Sequence, residues 1–295
     1  MERWPGVTAY TKLINAKVSQ VIARTNPRPR FLTDVQLPWR IVFRPAVVVA
    51  AHPDDEILGV GTLLPHLHQL RAIVHVTDGA PRRGSDPARA GAKSWQEYAA
   101  LRRRELQSAM QKAGLRTTRL ICLGYPDQET SFHIPRIALR LARLFQRFRA
   151  RILFTHPYEG GHPDHDACAA AVWLATKLLN SRHGPEILEF SSYHAARAGS
   201  FEAERFLGRS RKAWRRSLSK QERQHKLDLL TSYTSQQHVI SQCPINAEPV
   251  RLAPRYNFRK PPHRGKLYYE NFDWGVTGPR WRRLASQAAA RLSYL

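Results

Sequence analysis

The strongest constraint on the fold is a unit that occurs twice: a short apolar run, a cluster of metal-capable side chains, then a helical pattern. The first copy is Val47-Val48-Val49-Ala50-Ala51, followed by His52-Pro53-Asp54-Asp55-Glu56 and the apolar Ile57-Leu58-Gly59-Val60. The second is Ile152-Leu153-Phe154-Thr155, followed by His156-Pro157 and then Gly161-His162-Pro163-Asp164-His165. A β-branched run without polar residues reads as a strand buried on both faces. Each unit therefore carries reactive side chains from the end of a buried strand to the start of a helix. Nothing in strand or helix formation requires three consecutive acids at that junction.

Around these units runs a β–α rhythm. Residues 47–51, 72–77, 119–123, 151–155 and 187–190 read as strands, and 56–70, 94–113, 135–149 and 166–179 as helices. Ser94 and Glu97 are spaced as a capping box, and Gly114 supplies the stop for that helix. Strands alternating with helices argue for an α/β fold of the Rossmann-like, doubly wound kind, with a mainly parallel sheet covered by helices on both faces. In strand order 3-2-1-4-5, the first and fourth strands are neighbours and the winding reverses between them. Ligands bind in the crevice at the carboxyl ends of such strands, where both clusters would lie. Beyond about residue 200 the rhythm fades. A helix is expected over 220–232, an irregular Pro- and aromatic-rich segment over 243–279, and a closing helix over 281–295. Residues 1–44 are expected to be an N-terminal extension with a basic amphipathic helix over 10–24, and 45–295 a single domain.

Composition narrows the class. Lys and Arg number 47 against 23 Asp and Glu, a formal charge of +24. Such a field attracts polyanions, yet no specific nucleic-acid-binding motif accompanies it. Contact with an anionic membrane surface is compatible with it. No apolar run approaches the roughly 18 residues that span a bilayer, and residues 1–6 show no secretory pattern. Three cysteines, Cys122, Cys168 and Cys243, are too scattered for a disulfide framework or a Cys-based metal site. The expected setting is cytoplasmic, with room for peripheral attachment at the inner membrane surface.

His52 and Asp55 are three residues apart, as are His162 and His165. A hydrolytic zinc site needs three N/O ligands and one open position. Taken singly, each of these residues has a plain structural reading, such as a loop histidine or an N-cap aspartate. Two clusters at equivalent strand ends favour a metal centre.

The same residues carry a family resemblance. Ala51 to Glu56 with Gly161 to His165, joined by Thr77-Asp78-Gly79-Ala80, the Arg102–Glu105 helix pattern, Leu123 to Asp127 and Ser235-Gln236, resemble the PIG-L (LmbE-like) zinc-dependent de-N-acetylases over roughly residues 45–240. The resemblance implies Zn2+, with Fe2+ as the alternative metal, held by His52, Asp55 and His165. It implies Asp54 as general base, His162 as an imidazolium facing the developing oxyanion, and Asp164 holding that imidazolium oriented and charged. Arg102 and Asp127 match substrate-contacting positions. The implied reaction is hydrolysis of an N-acetyl group from an N-acetylglucosaminyl-type conjugate or glycolipid-like substrate, giving acetate and a free amine. Where some relatives have an oxyanion-assisting tyrosine this chain has Gly160, with Tyr158 the nearest substitute. Glu56 is left as a helix N-terminal acid favoured by the macrodipole. His75, His133, His156 and His263 read as structural or loop residues, His156 being the one placed to do more. Two other readings compete: a zinc amidase acting on a thiol conjugate or natural-product precursor, and a basic membrane- or nucleic-acid-binding protein with a vestigial site.

Overall fold

The computed structural model describes residues 37–179, 184–196, 199–208 and 213–293. The helix expected over 10–24 and most of the 1–44 extension lie outside them. At the centre is β1 (Ala46–Ala50), five residues with no exposed side chain. It pairs in parallel with β2 (Leu70–Pro81) on one side and β4 (Ile152–Thr155) on the other. Next to β2 lies β3 (Arg119–Asp127), and next to β4 lies β5 (Glu186–Phe190), both parallel. The order β3-β2-β1-β4-β5 is the doubly wound one.

Alternation along the strands builds two cores. Val47, Val49 and Ala51 face a cluster shared with α3 (Ile134–Arg147), α4 (Pro163–Leu178) and α6 (Gly278–Leu292). Ala46 and Val48 face the opposite cluster, with α1 (Asp55–Val60), α2 (Trp95–Lys112) and α5 (Lys220–Leu230). Each fully buried valine of β1 contributes about 1.5–3 kcal/mol, so this strand fixes the sheet before any site residue is considered. Ile41 and Val42, in a one-turn helix ahead of β1, join the second core.

Three details differ from expectation. The helix after β1 spans only Asp55–Val60 rather than reaching residue 70, and a one-turn 3-10 helix, Leu64–His66, follows. Pro65, which has no N–H to continue a helix, and Glu248 both act against a longer helix; Glu248 competes for the donors just ahead. Its carboxylate takes the N–H groups of Thr62 at 2.8 Å and Leu63 at 3.1 Å, donors that would otherwise continue the helix. Lys226 neutralises that buried acid at 3.1 Å and also donates to Leu58 O at 2.7 Å. Second, the 243–279 stretch contains β9 (Ala247–Leu252), which with β8 (Ala213–Ser217) extends the sheet in antiparallel fashion beyond β5. Two short antiparallel strands, β6 (Tyr193–Ala195) and β7 (Phe201–Ala203), form a separate ribbon. Third, Ser94 caps α2 through Glu97 N at 3.2 Å, but the Glu97 carboxylate reaches Lys93 N at 2.8 Å instead of closing the box. Gly114 takes φ +73° as a helix stop.

β9 also brings a buried charge group under the sheet edge. Arg251 donates to Glu189 at 2.7 Å and to Glu159 at 3.0 Å. Burial pushes both carboxyls up, to about 7 for Glu189 and about 8 for Glu159, against the pull of the shared guanidinium. Their folded values lie above the ordinary value of about 4.3, so the folded protein binds more protons than the unfolded chain. The associated stability is present at low pH and lost as pH rises through about 8. Glu159→Gln is expected to flatten the fall in urea midpoint measured from pH 5 toward pH 8.

Candidate active site

The loop after β1 turns sharply. Asp54 has φ 143° and ψ −30°, a backbone conformation that a non-glycine residue holds only under restraint, at about 1–3 kcal/mol. Arg102, reaching across from α2, supplies part of that restraint. Its NH2 donates to Pro53 O at 2.7 Å and Asp54 Oδ2 at 3.1 Å, and its NH1 to Gly79 O at 3.2 Å. Only 2% of Arg102 is exposed. Its polar contacts are thus with the motif loop and the 77–80 turn. Burial, opposed by Arg102 and reinforced by the neighbouring Asp55 charge, pushes the Asp54 carboxyl up to about 8.

Asp55 lies between two histidines. Its Oδ2 is 3.2 Å from His52 Nδ1, and its Oδ1 is 3.2 Å from His165 Nε2. Tetrahedral ligands at about 2.0–2.1 Å from zinc are separated by about 3.3 Å, so both contacts have the length of a coordination edge. Two further histidines are close by. Ligand atoms of His52, His162 and His165 lie within 4.8 Å of one another, as do those of Asp55, His156 and His165, and of His52, Asp127, His162 and Asp164. Backbone amides separate these candidates. His156 Nε2 accepts from Ala51 N at 3.0 Å, and its Nδ1 faces Ser192 Oγ at 2.8 Å. An Nε2 that accepts from Ala51 places the ring proton on Nδ1, and the same Nε2 also lies 3.3 Å from Asp55 Oδ2. Burial, with His165 stacked on it at 3.9 Å, takes His156 down to about 3. His162 Nδ1 accepts from Asp164 N at 3.1 Å, which assigns the proton to Nε2. A ring in that state is a hydrogen-bond donor into the site and not a ligand. Burial, aided by the charge of His52, holds His162 well below the ordinary histidine value.

A ring accepting at Nδ1 is neutral, so this geometry departs from the imidazolium expected at position 162. The Asp164 carboxylate, expected to orient that ring, has other partners. The Asp164 carboxylate accepts from Gln128 N at 2.6 Å, Thr130 N at 3.1 Å and Thr130 Oγ1 at 2.5 Å, and lies 3.2 Å from His52 Nε2. As the second residue of α4, it turns toward the donors of the 128–130 loop, and only its backbone N–H touches His162. Asp127, at the end of β3, places Oδ1 3.0 Å from His52 Nε2 and 3.8 Å from His162 Nε2. It therefore belongs to the histidine cluster itself. Burial opposes its ionisation, but His52 and His162 hold it below the usual carboxylate range.

Four buried or half-buried aspartates, Asp54, Asp55, Asp127 and Asp164, thus crowd around His52 and His165, and Arg102 is the one arginine paired with them by a salt bridge among the described residues. Burial would lower His52, yet Asp127 and Asp55 hold it well above its ordinary value. Crowded negative charge and imidazole nitrogen at strand ends are a donor set that fits a divalent cation. The expected set His52, Asp55 and His165 is joined only pairwise, His52 meeting Asp55 Oδ2 and His165 meeting Asp55 Oδ1, and is not one of the three groups named above.

Other features of the site were not legible in its motifs. Tyr158 is no oxyanion donor, because it turns into the core beside Trp281 and its hydroxyl donates to Lys260 O at 3.0 Å. Tyr193 from β6 packs on the His165 ring at 5.4 Å, and Trp274 on the His162 ring at 4.6 Å. Both come from regions without periodic pattern. Ser235 donates from N and Oγ to Glu105, each at 2.7 Å, tying the 234–236 turn to α2. Gly161 is required by packing, because a methyl group there would collide with the Tyr193 carbonyl. Gly161→Ala is expected to cost about 1–3 kcal/mol and to displace His162. The checks are a urea midpoint and a drop in turnover of about ten-fold or more, since small misplacements are costly.

Among known proteins, the sequence profile of the family described as "PIG-L: GlcNAc-PI de-N-acetylase" matches residues 47–176. A probable N-acetyl-alpha-D-glucosaminyl L-malate deacetylase 2 of Bacillus cereus is 26% identical over 147 residues, covering 49% of this chain. That match spans 66% of the relative's own length, just under two thirds. The solved A40926 pseudoaglycone deacetylase Dbv21 shares the fold at 17% identity and TM-score 0.55, over 72% of this chain and 98% of that chain. So does a zinc-inhibited form of teicoplanin deacetylase Orf2, at 17% identity and TM-score 0.51, over 72% and 99%.

Proposed function

We propose that the chain, whose residues 47–176 match the PIG-L profile, is a metal-dependent hydrolase that removes the acetyl group from an N-acetylglucosaminyl-type conjugate. The observation that carries this reading is the Asp55 carboxylate held 3.2 Å from both His52 Nδ1 and His165 Nε2, with Asp54 beside it on Arg102. His52, Asp55 and His165 hold the cation in this reading. When bound, a divalent cation polarises the amide carbonyl and makes water acidic enough to attack near neutral pH.

The chain's own groups then supply the proton steps. Asp54 takes the proton of the attacking water as its oxygen bonds to the acetyl carbon. The Nε2–H of His162 donates to the acyl oxygen as negative charge gathers there. Asp54 returns the proton to the nitrogen as the C–N bond breaks, leaving acetate and a free amine. Asp127 borders both His52 and His162 and in this reading contacts the substrate. Arg102 acts in this reading through Asp54, since its NH1 and NH2 donate to Gly79 O, Pro53 O and Asp54 Oδ2.

The catalytic domain in this reading begins a few residues before 45, because Ile41 and Val42 are part of its core. No helix among the described residues is long and apolar enough to cross a membrane. Acetate release from N-acetylglucosaminyl L-malate and from N-acetylglucosamine, with and without a chelator, tests the proposal. Chelator-sensitive release is expected. Release of equal rate with and without chelator would overturn the metal reading, and release from unrelated amides alone would overturn the substrate class.

A further inference from the structure

Glu56 follows the two aspartates in sequence, yet its carboxyl takes no part in the histidine cluster's described contacts. It is fully buried and receives three donors. The Tyr233 hydroxyl reaches Oε1 at 2.7 Å, while His75 Nε2 and the Asp54 backbone N–H reach Oε2 at 2.8 and 3.2 Å. The third of these contacts matters because of what holds the other side of the same peptide. Pro53 O, in the peptide that contributes the Asp54 N–H, accepts from Arg102 NH2 at 2.7 Å. The Pro53–Asp54 peptide plane is therefore pinned at its oxygen by Arg102 and at its nitrogen by Glu56.

We propose that Glu56 is a positioning residue for Asp54, fixing the peptide plane that keeps Asp54 at φ 143° with its carboxylate aimed into the site. A plane held at both ends cannot rotate, so the left-handed turn persists without a glycine. Released at its nitrogen, the turn would relax toward ordinary φ values and swing the Asp54 carboxylate. Tyr233 and His75 in turn fix Glu56, which links the loop to β2 and to the segment just after α5. That segment lies beyond residues 47–176, so part of the device belongs to this chain's C-terminal portion. The inference rests on the base assignment of Asp54 made above.

Glu56→Met keeps the length of the side chain and removes both acceptor oxygens on which the three donors converge. The Asp54 N–H, which cannot reverse its role, loses its acceptor. The expected result is a kcat for acetate release from N-acetylglucosaminyl L-malate lower by about 10- to 100-fold. KM and the zinc affinity of the metal-free protein should stay within about three-fold, since no ligand and no substrate contact has changed. In the metal-free protein the Asp54 amide should exchange hydrogen faster, a readout independent of turnover. Tyr233→Phe keeps the motif intact and removes one anchor of Glu56. It should lower kcat alone, by about three- to ten-fold, and it serves if Glu56→Met does not fold. Unchanged kcat in both variants, or a loss confined to KM or metal affinity, would overturn the inference while leaving the base assignment standing. An Asp54→Asn protein with wild-type turnover would overturn both.

Discussion

The Asp54→Asn protein is expected to bind metal as the wild type does and to release acetate about 10²- to 10⁴-fold more slowly. Asparagine keeps the size and one acceptor oxygen, so Arg102 retains a partner for the donor now 3.1 Å from Asp54 Oδ2. It cannot accept the proton of the attacking water or deliver one to the amine. A thermal melt separates this loss from unfolding, because Arg102 is buried and an unsatisfied guanidinium would show as a lowered midpoint. The pH dependence follows from the same group. Burial raises Asp54, and only its ionised form accepts a proton, so wild-type turnover should fall on the acid side as Asp54 gains its proton. The residual activity of Asp54→Asn should lack that limb. Metal loss from Asp54→Asn would show that the two aspartates divide their roles differently.

The His165→Ala protein is expected to lose metal affinity by at least about 10²-fold and turnover with it. His165 faces Asp55 Oδ1 through Nε2, and its Nδ1 has no hydrogen-bond partner among the described residues. No backbone N–H among the described hydrogen bonds occupies its Nε2, whereas Ala51 N and Asp164 N donate to His156 Nε2 and His162 Nδ1. His162→Ala provides the contrast. It removes a donor to the acyl oxygen and not a ligand, so it should retain metal while kcat falls by about 10²- to 10³-fold. Equilibrium dialysis against zinc with the two variants side by side checks the distinction. Equal metal loss in both would contradict the tautomers assigned from the hydrogen bonds.

The parallel half of the sheet was legible because β1 and β4 are apolar runs ending in polar clusters, a pattern that fixes both strand and crevice. The spacing of His52 with Asp55 and of His162 with His165 was legible for the same reason. Direction was not. Asp164 could face His162 or the 128–130 loop, and only the loop's three donors decide it. His156 and His162 read as candidates of equal rank until Ala51 N and Asp164 N are seen to occupy their nitrogens. β9 was hidden because Glu248, Pro249 and Arg251 interrupt its apolar pattern, and each of the two charged residues is satisfied by a partner distant in sequence, Thr62 and Lys226 for one, Glu189 and Glu159 for the other. Tyr233 and Trp274 reach the site from segments with no periodic signal. Side-chain orientation at helix starts, and contacts made across more than a hundred residues, are set by packing that local pattern does not encode.

The central claim is that a single cation at His52, Asp55 and His165 enables amide hydrolysis by this chain. Its most direct measurement is acetate release by metal-stripped protein during stepwise addition of zinc or ferrous iron. The account predicts no release before addition and a rise that levels off at one equivalent of the activating metal. Full activity in the stripped protein, or a protein that binds one equivalent of either metal and still releases no acetate from any N-acetylglucosaminyl conjugate, would contradict it.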